Sequence, residues 1–362
     1  MSAEQTHARG YGISDTSKYT EFTVKEFKLK TPGPRDVTIA IEYCGVCGSD
    51  MHTVSGGWGP LKNDWVCPGH EIVGKVIAVG PEAADEFKIG SIAGVGAQVE
   101  SCLECERCKG DNENYCPEQH DTYNDTNAAG DVLQGGYSTH IRADKRFVFN
   151  IPSAIAPQDA APILCAGITV YSPLKRNGTG PGKLVGIVGM GGLGHFAVQF
   201  AKALGAEVVL FSHSPGKASD ALRLGADKFI ATGDKDFAKT AGFGAANKGR
   251  EFDFILSCAD SNAIPLDQFL PLLKVGGRMT TVGLPDQPFS IAGFAFAGNS
   301  AAFGGSHLGS KKEMLEMLDL AAEKNIKPII HEVLPMSRAG DAIEGVAKNT
   351  VRYRYVLKQD LV

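Results

Sequence analysis

The sequence predicts an α/β protein in which a mostly β lobe is followed by a doubly wound parallel sheet. Roughly the first 160 residues are rich in glycine and carry short β-type runs at 36–41, 72–79 and 147–151, separated by proline and glycine. From residue 160 onward, apolar strand patterns alternate with helical periodicity, which is typical of a parallel sheet covered by helices. A length of 362 residues also fits two domains better than one.

The second part begins with a βαβ unit, formed by a strand at 183–188, a helix at 191–204 and a strand at 207–211. The alternation continues with strands at 252–257 and 278–282 and helices at 218–224 and 266–273. A helix at 311–324 and a strand at 352–357 have no place in that sheet, so we expect them to return to the first lobe. The predicted domains are therefore 1–164 with 305–362, and 165–304.

The charge and the apolar content of the chain limit the kinds of molecule that we expect it to bind. The net charge is −5 and no run of Lys or Arg occurs, so we expect no nucleic acid and no anionic membrane surface as partner, and small molecules instead. No stretch of about 18 apolar residues is present, so neither a membrane span nor a signal peptide is expected. The nine cysteines are then expected to be reduced thiols in the cytoplasm.

Four cysteines lie in a spacing that is typical of a structural zinc loop. Two-residue gaps let successive sulfurs converge on one tetrahedral ion, and a seven-residue gap lets the chain wrap round to supply the fourth ligand. Four thiolates leave no coordination position open, so this site stabilises a lobe and carries no chemistry. Its predicted ligands are Cys102, Cys105, Cys108 and Cys116.

A glycine-rich loop follows the first strand of the parallel sheet and opens the next helix. In this context the pattern predicts a dinucleotide site, because its glycines permit a tight turn, a close approach of the pyrophosphate, and helix-to-strand packing. A purely structural glycine loop is the alternative. The loop consists of Gly189, Met190, Gly191, Gly192, Leu193 and Gly194.

The end of the second strand indicates which nucleotide is preferred. An NAD site usually places Asp or Glu there, whereas this chain has Ser212, followed by Ser214 and Lys217. Hydroxyls and a cation suit a 2′-phosphate that a carboxylate would repel, so NADP is predicted. In the alternative interpretation Lys217 is a solvated lysine and the site accepts either nucleotide.

Further thiols and an imidazole form a second possible metal site, drawn from distant parts of the chain. Cys44, Cys47 and Cys67 precede His70 and Glu71, and Cys165 follows near the domain boundary. A catalytic zinc commonly takes three scattered ligands and keeps one position open. Spacing alone leaves the choice of thiols unresolved, since a free cysteine is often a small buried hydrophobe.

The segments 44–52, 68–74, 102–116, 189–194 and 212–217, in this order, resemble the zinc-dependent medium-chain alcohol dehydrogenases. The segment 161–171, Ser212 and the ending Val351-Arg352-Tyr353-Arg354-Tyr355 are similar to the NADP-dependent cinnamyl alcohol dehydrogenase branch, in particular its fungal broad-specificity members. The resemblance implies a Rossmann sheet joined to a GroES-like catalytic domain, two zinc ions per chain, and a homodimer. It also implies hydride transfer between NADP(H) and primary alcohols or aldehydes.

The resemblance implies roles for individual residues. The catalytic zinc ligands would be Cys47, His70 and Cys165, with Glu71 able to act as a fourth. Asp50 would orient His70, or else serve as a helix cap. Ser49 would pass a proton through the cofactor ribose to His52 at the surface, although a plain surface histidine is the alternative. The cofactor residues would also include Thr169, Val282 and Ser306; a threonine inside a helix is the other interpretation of Thr169.

Substrate recognition is less defined by the sequence. Trp58, Trp65, Phe294 and Phe296 could line a cleft or pack in the core. Asp121 and His307 stand where the plant lignin enzymes usually have Trp and often Phe, which argues for a pocket that takes both aromatic and aliphatic aldehydes. The rival hypotheses are an NAD-dependent polyol or secondary-alcohol dehydrogenase and a zinc or thiol redox sensor.

Overall fold

The computed structural model describes residues 5–234 and 236–361. The chain divides into two compact units, the first formed by Met1–Ala166 with Gly309–Val362 and the second by Gly167–Leu308. Within the described residues, no helix has the length and apolar character needed to cross a membrane.

Runs of strands in the first unit give way to alternating strands and helices in the second. The strands are β1 (His7–Gly12), β2 (Thr23–Lys28), β3 (Asp36–Val46), β4 (Ile72–Val79), β5 (Ile92–Val95), β6 (Gln98–Glu100), β7 (His120–Asp121), β8 (Asp125–Thr126), β9 (Val132–Leu133), β10 (His140–Asp144), β11 (Val148–Asn150), β12 (Leu184–Val188), β13 (Glu207–Ser212), β14 (Lys228–Ala231), β15 (Phe252–Ser257), β16 (Leu273–Thr281), β17 (Ala302–Gly305), β18 (Ile330–Pro335) and β19 (Arg354–Lys358). The α-helices are α1 (Gly48–Ser55), α2 (Glu106–Lys109), α3 (Pro157–Pro162), α4 (Ile168–Arg176), α5 (Gly194–Ala203), α6 (Ala218–Arg223), α7 (Phe237–Thr240), α8 (Leu266–Phe269), α9 (Phe294–Ala297), α10 (Lys311–Lys324) and α11 (Ala339–Ala347).

The first unit is built on a sheet of seven strands in the order β11-β5-β4-β3-β19-β18, with β10 paired to β3. Every pair in it is antiparallel except β18 with β19. The predicted strand at 72–79 matches β4, whereas the one at 147–151 shrinks to β11. The side chain of Asp144 caps a 3-10 turn at Lys145–Phe147, which delays the start of β11. Alternate residues of β3, such as Val37 and Ile39, are fully buried in the core of this unit.

The second unit contains six parallel strands in the order β14-β13-β12-β15-β16-β17. This confirms the predicted doubly wound parallel sheet. The helix predicted at 266–273 ends at Phe269 and continues only as a 3-10 turn, because Pro271 has no N–H to donate. Phenylalanines fill the core, with the ring of Phe211 edge-on to that of Phe269 at a centroid distance of 5.2 Å.

The carboxylate of Asp253 in β15 connects the starts of β12 and β16 at one end of this sheet. Asp253 accepts a hydrogen bond of 2.9 Å from the backbone N–H of Leu184 and pairs with Lys183 and Lys274. Burial alone would raise the pKa of Asp253, but these donors outweigh it and place the pKa below the usual range. The ionised form of Asp253 therefore stabilises the fold.

Candidate active site

The four cysteines of the 102–116 loop converge as the spacing predicts. Their sulfurs all lie within 4.8 Å of one another, with the sulfurs of Cys102 and Cys116 3.4 Å apart. Backbone N–H groups point at these sulfurs, and the donors at Glu104 and Cys105 lower the pKa of Cys102 to about 7. Burial raises the pKa of Cys108 to about 12. Four converging sulfurs are the donor set of a structural zinc site.

Glu113 lies in the same loop and connects it to helix α10. Its side chain is buried, with one oxygen accepting the backbone N–H of Lys311 at 2.6 Å and the other accepting from Arg146 at 3.0 Å. Lys311 is the first residue of α10, so Glu113 satisfies one of the N–H groups that a helix leaves without an internal partner. The cysteine loop thus holds the start of this helix.

A second cluster brings together Cys47, His70, Glu71 and Cys165, whose ligand atoms lie within 4.8 Å of one another. Cys47 is the N-cap of α1, and His70 and Glu71 immediately precede β4. Cys165 lies in a π-helical turn, Ile163–Gly167, between α3 and α4. Such turns displace a side chain from the regular helix face and are frequent at functional sites.

The donor set of this cluster fits zinc. Two thiols, an imidazole and a carboxylate are groups that zinc binds, and the Nε2 of His70 lies 3.2 Å from the sulfur of Cys165. Hydrogen bonds from Cys165 and then from His70 lower the pKa of Cys47 well below its usual range, despite full burial. The two remaining candidate thiols, Cys44 and Cys67, are buried outside the cluster, where burial raises their pKa values.

Asp50 lies behind His70 and is fully buried. Its Oδ1 is 3.0 Å from Nδ1 of His70 and accepts the N–H of Gly69 at 3.1 Å, while Oδ2 accepts the N–H of Cys47 at 3.0 Å. Burial would lower the pKa of His70, but the charge and hydrogen bond of Asp50 raise it well above the usual range. Asp50 therefore both orients the imidazole and caps α1, so the two interpretations offered by the sequence hold together.

Arg354, which sequence reasoning did not place at the site, pairs with Glu71. Nη2 of Arg354 donates to Oε1 of Glu71, and both side chains are almost fully buried. Burial raises the pKa of Glu71 to about 8, although Arg354 acts in the opposite direction. Oε2 of Glu71 has no hydrogen-bond partner in the described part of the protein. A buried carboxylate oxygen without a partner, next to two thiols, is consistent with a metal ligand.

The predicted proton-relay residues both lie on α1. Ser49 Oγ is 3.7 Å from the sulfur of Cys47. The expectation that His52 lies at the surface is wrong: only 9% of it is exposed, because the ring of Trp58 stacks on it at 5.0 Å with 7° between the planes. Trp58 itself is 45% exposed. The surface-facing group here is therefore the indole, with the imidazole beneath it.

The glycine loop of the second unit is built as its sequence predicts. Gly189 has a φ of +93°, and a Cβ on Gly194 would lie 1.9 Å from the carbonyl oxygen of Gly189. A Cβ on Gly191 would meet nothing within 4 Å, which leaves its backbone open to a ligand. Gly192 and Leu193 complete the turn before α5 begins.

The residues that the sequence predicts to select the nucleotide lie near this loop. Lys217 Nζ donates to the carbonyl of Met190 at 2.7 Å, and the Oγ of Ser212, at the end of β13, accepts the N–H of Ser214 at 3.4 Å. The other predicted cofactor residues lie at strand ends or on a helix. Val282 and Ser306 directly follow β16 and β17, and Thr169 is half-buried in α4.

The predicted substrate residues have different environments. Asp121 is half-buried in β7, and its N–H donates to Asp125 at 3.1 Å. His307 is exposed in the second unit. Trp65 packs in the core of the first unit, as the alternative interpretation held, whereas Phe294 is exposed on the second unit.

Two family models match the chain, one for the alcohol dehydrogenase GroES-like domain over residues 33–153 and one for zinc-binding dehydrogenases over residues 192–323. An NADP-dependent alcohol dehydrogenase of Saccharomyces cerevisiae is 45% identical, over 89% of this chain and 88% of its own. A mannitol dehydrogenase of Petroselinum crispum is 42% identical, over 92% and 96%. A cinnamyl alcohol dehydrogenase structure from Sorghum bicolor has a TM-score of 0.90 and 38% identity, covering 97% of each chain. The chain therefore belongs to the zinc-binding alcohol dehydrogenase family that includes the cinnamyl alcohol dehydrogenases.

Proposed function

We propose that this protein is a zinc-dependent oxidoreductase in which an aldehyde, NADPH and a proton give a primary alcohol and NADP⁺, and the reverse. The observation that carries the proposal is the buried cluster of Cys47, His70, Glu71 and Cys165, in a chain that also holds a glycine-rich nucleotide loop. A closed four-cysteine site elsewhere in the first unit leaves this cluster as the reactive one.

Cys47, His70 and Cys165 would hold the zinc, which would supply Lewis acidity toward the substrate oxygen, and bound NADPH would supply the hydride. The chain's own residues prepare the site. Asp50 fixes the His70 ring through Nδ1, so that Nε2 faces the cluster. The pair of Glu71 with Arg354 keeps a carboxylate beside the cluster, where Glu71 could act as a fourth ligand.

We propose a proton route along α1, from Ser49 beside Cys47 to His52. These residues are three positions apart on one helix, so their side chains lie on neighbouring turns of the same face. Because Trp58 covers the His52 ring, the last transfer would take place at the edge of the indole–imidazole stack and not at an open surface.

NADP is preferred to NAD because the position at the end of β13 that would carry a ribose-binding carboxylate holds Ser212. Lys217 lies against the glycine loop, where its charge favours an added phosphate. The name of the yeast relative agrees with this preference.

We propose a broad set of substrates, with aromatic and medium-chain aliphatic aldehydes both reduced. Asp121 and His307, in place of the large aromatic residues of the plant lignin enzymes, support this. A polyol is the second candidate substrate, supported by the parsley relative named mannitol dehydrogenase. We also propose a homodimer that pairs through the edge strand β17, and a reducing compartment such as the cytoplasm, consistent with nine free cysteines.

A matched pair of cysteine variants tests the proposed site. C165S removes a proposed zinc ligand, whereas C67S changes a fully buried thiol outside the cluster. We expect the wild type to hold two zinc ions per chain, C165S to hold one and lose at least about a thousandfold in kcat/KM, and C67S to hold two and stay active. A single zinc in active wild type, or full activity in C165S, would refute the proposal.

A substrate panel tests the finer assignment. Initial rates with cinnamaldehyde, benzaldehyde, hexanal and, in the oxidative direction, mannitol would be measured with both nicotinamide cofactors on metal-quantified protein. We expect NADPH to be favoured and the three aldehydes to fall within about a hundredfold of one another in kcat/KM. A larger preference for cinnamaldehyde would contradict the broad pocket, and faster turnover of mannitol with NAD would favour the polyol enzyme.

A further inference from the structure

Tyr123 lies directly against the imidazole of His70. The two rings stack with their centroids 5.8 Å apart and 26° between the planes, and only 8% of Tyr123 is exposed. This contact covers a face of the imidazole that Asp50, which lies at the ring edge through Nδ1, cannot restrain. Asp50 and the cluster hold the ring only at its two nitrogens, so the ring can still turn about the line that joins them.

The hydroxyl of Tyr123 reaches the same carboxylate. It interacts with the side chains of Asp50 and Thr53, and burial together with the Asp50 charge raises the pKa of Tyr123 well above its usual range. Tyr123 therefore neighbours both the imidazole, through its ring face, and the carboxylate that accepts from that imidazole.

The backbone around Tyr123 is fixed on both sides. Thr122 donates its N–H and its hydroxyl to the carbonyls of Ala97 and Gly96, at 3.0 and 2.6 Å. On the other side, Asn124 adopts a φ of +54° and accepts the N–H of Lys62 at 2.8 Å. The ring of Tyr123 is thus held in place by a segment that is itself tied to two neighbouring loops of the first unit.

We propose that Tyr123 is a positioning residue of the metal centre, which fixes the tilt of the His70 ring while Asp50 fixes its tautomer and direction. The inference rests on the proposed function in one respect, namely that His70 holds a metal ion. Restraint of a ligand by its outer partners typically changes metal affinity or activity by about 10- to 100-fold. Because Asp121 lies only two residues before Tyr123, the segment that restrains the ligand also carries a proposed substrate contact.

Metal release separates this role from a merely structural one. Release of zinc to a chromogenic chelator is followed in Y123L, in Y123F and in a matched control, Y137L. Tyr137 is fully buried and its hydroxyl also lies 3.4 Å from Asp50, but its ring packs on Phe22 and not on His70. The four-cysteine site is an internal control in every sample.

We expect Y123L to release the metal of the Cys47 cluster at least about tenfold faster, with release from the four-cysteine site unchanged. Y137L should lower Tm at least as much as Y123L does, but it should change the rate of metal release from the Cys47 cluster by less than about twofold. Y123F keeps the ring and should remain within about threefold of wild type. Replacing the zinc of this site by Co²⁺ should give visible absorption bands that shift in Y123L and not in Y137L.

Equal acceleration in Y123L and Y137L would show general loosening and overturn the proposal, as would wild-type release from Y123L. Should Y123L not fold, Y123M and Y137M, which keep more of the buried volume but lack the aromatic ring, are compared in the same way. Faster release and shifted Co²⁺ bands in Y123M but not in Y137M would support the role of Tyr123, and equal values would overturn it. A wild-type protein that releases only one zinc would instead refute the proposed function.

Discussion

The buried pair of Glu71 and Arg354 gives the most decisive stability prediction. Their side chains are 0% and 5% exposed, and the pair is joined by a single contact between Nη2 and Oε1. The remaining polar atoms, Oε2 of Glu71 and Nε of Arg354, find no hydrogen-bond partner within the described residues. The attraction within a pair of this geometry offsets little more than its own desolvation. Loss of one member leaves the other buried without its partner, so that it either stays charged or must change its protonation state, and both cost stability.

Arg354→Met should therefore lower the free energy of unfolding by about 3–5 kcal/mol. For a unit of this size that corresponds to a decrease of roughly 10 °C in Tm, measured by calorimetry on zinc-replete protein. Glu71→Gln should also destabilise, and the double variant should lose clearly less than the sum of the two, because it removes both charges.

Lys348→Met is the matched control. Lys348 pairs with Glu344 across one helical turn, with both side chains at least half exposed, so its loss should leave Tm nearly unchanged. Additive single-variant effects, or an Arg354→Met variant as stable as Lys348→Met, would refute the argument that burial makes the Glu71 partner indispensable.

Other contacts allow shorter predictions. Glu113→Gln weakens two charge-assisted bonds and should destabilise by about 2 kcal/mol, with faster hydrogen exchange at the Lys311 amide by mass spectrometry; unchanged exchange would contradict the link. Because the pKa of Asp253 is lower in the folded protein than the unfolded value of about 3.9, its ionised form stabilises the fold fully above that pH, and this contribution is lost as the pH falls further. Asp253→Asn should therefore lower Tm at pH 7 and reduce the decrease of Tm between pH 5 and 3 in thermal scans. Cys108→Ser should remove one zinc per chain by atomic absorption and lower Tm, while a variant with full metal content would argue against the four-sulfur site.

Sequence reasoning succeeded where the information is local. The cysteine loop converges because its ligands lie within 15 residues of chain, and the glycine loop forms because its turn needs a positive φ at Gly189. Strand β4 was predicted at its observed limits since its apolar pattern is continuous. In each case neighbouring residues carry the whole signal.

Contacts between distant residues explain what was missed. Arg354 meets Glu71 across 283 positions, and nothing in the pattern of either segment indicates the partner. Tyr123 was passed over because a lone tyrosine in a polar segment has no periodicity that would indicate its contact with His70. His52 was placed at the surface because the sequence does not show that Trp58, six residues on, folds back over it.

The position of Arg354 also has a consequence for the order in which the protein is made. Every cysteine and histidine of the two clusters lies before residue 166, so a chain growing from its N-terminus holds both sets of ligands long before strand β19 leaves the ribosome. During that interval the buried carboxylate of Glu71 lacks its partner Arg354. Strand β19 then brings in the guanidinium of Arg354, so the Glu71–Arg354 pair forms only after both sets of cysteine and histidine ligands have been made.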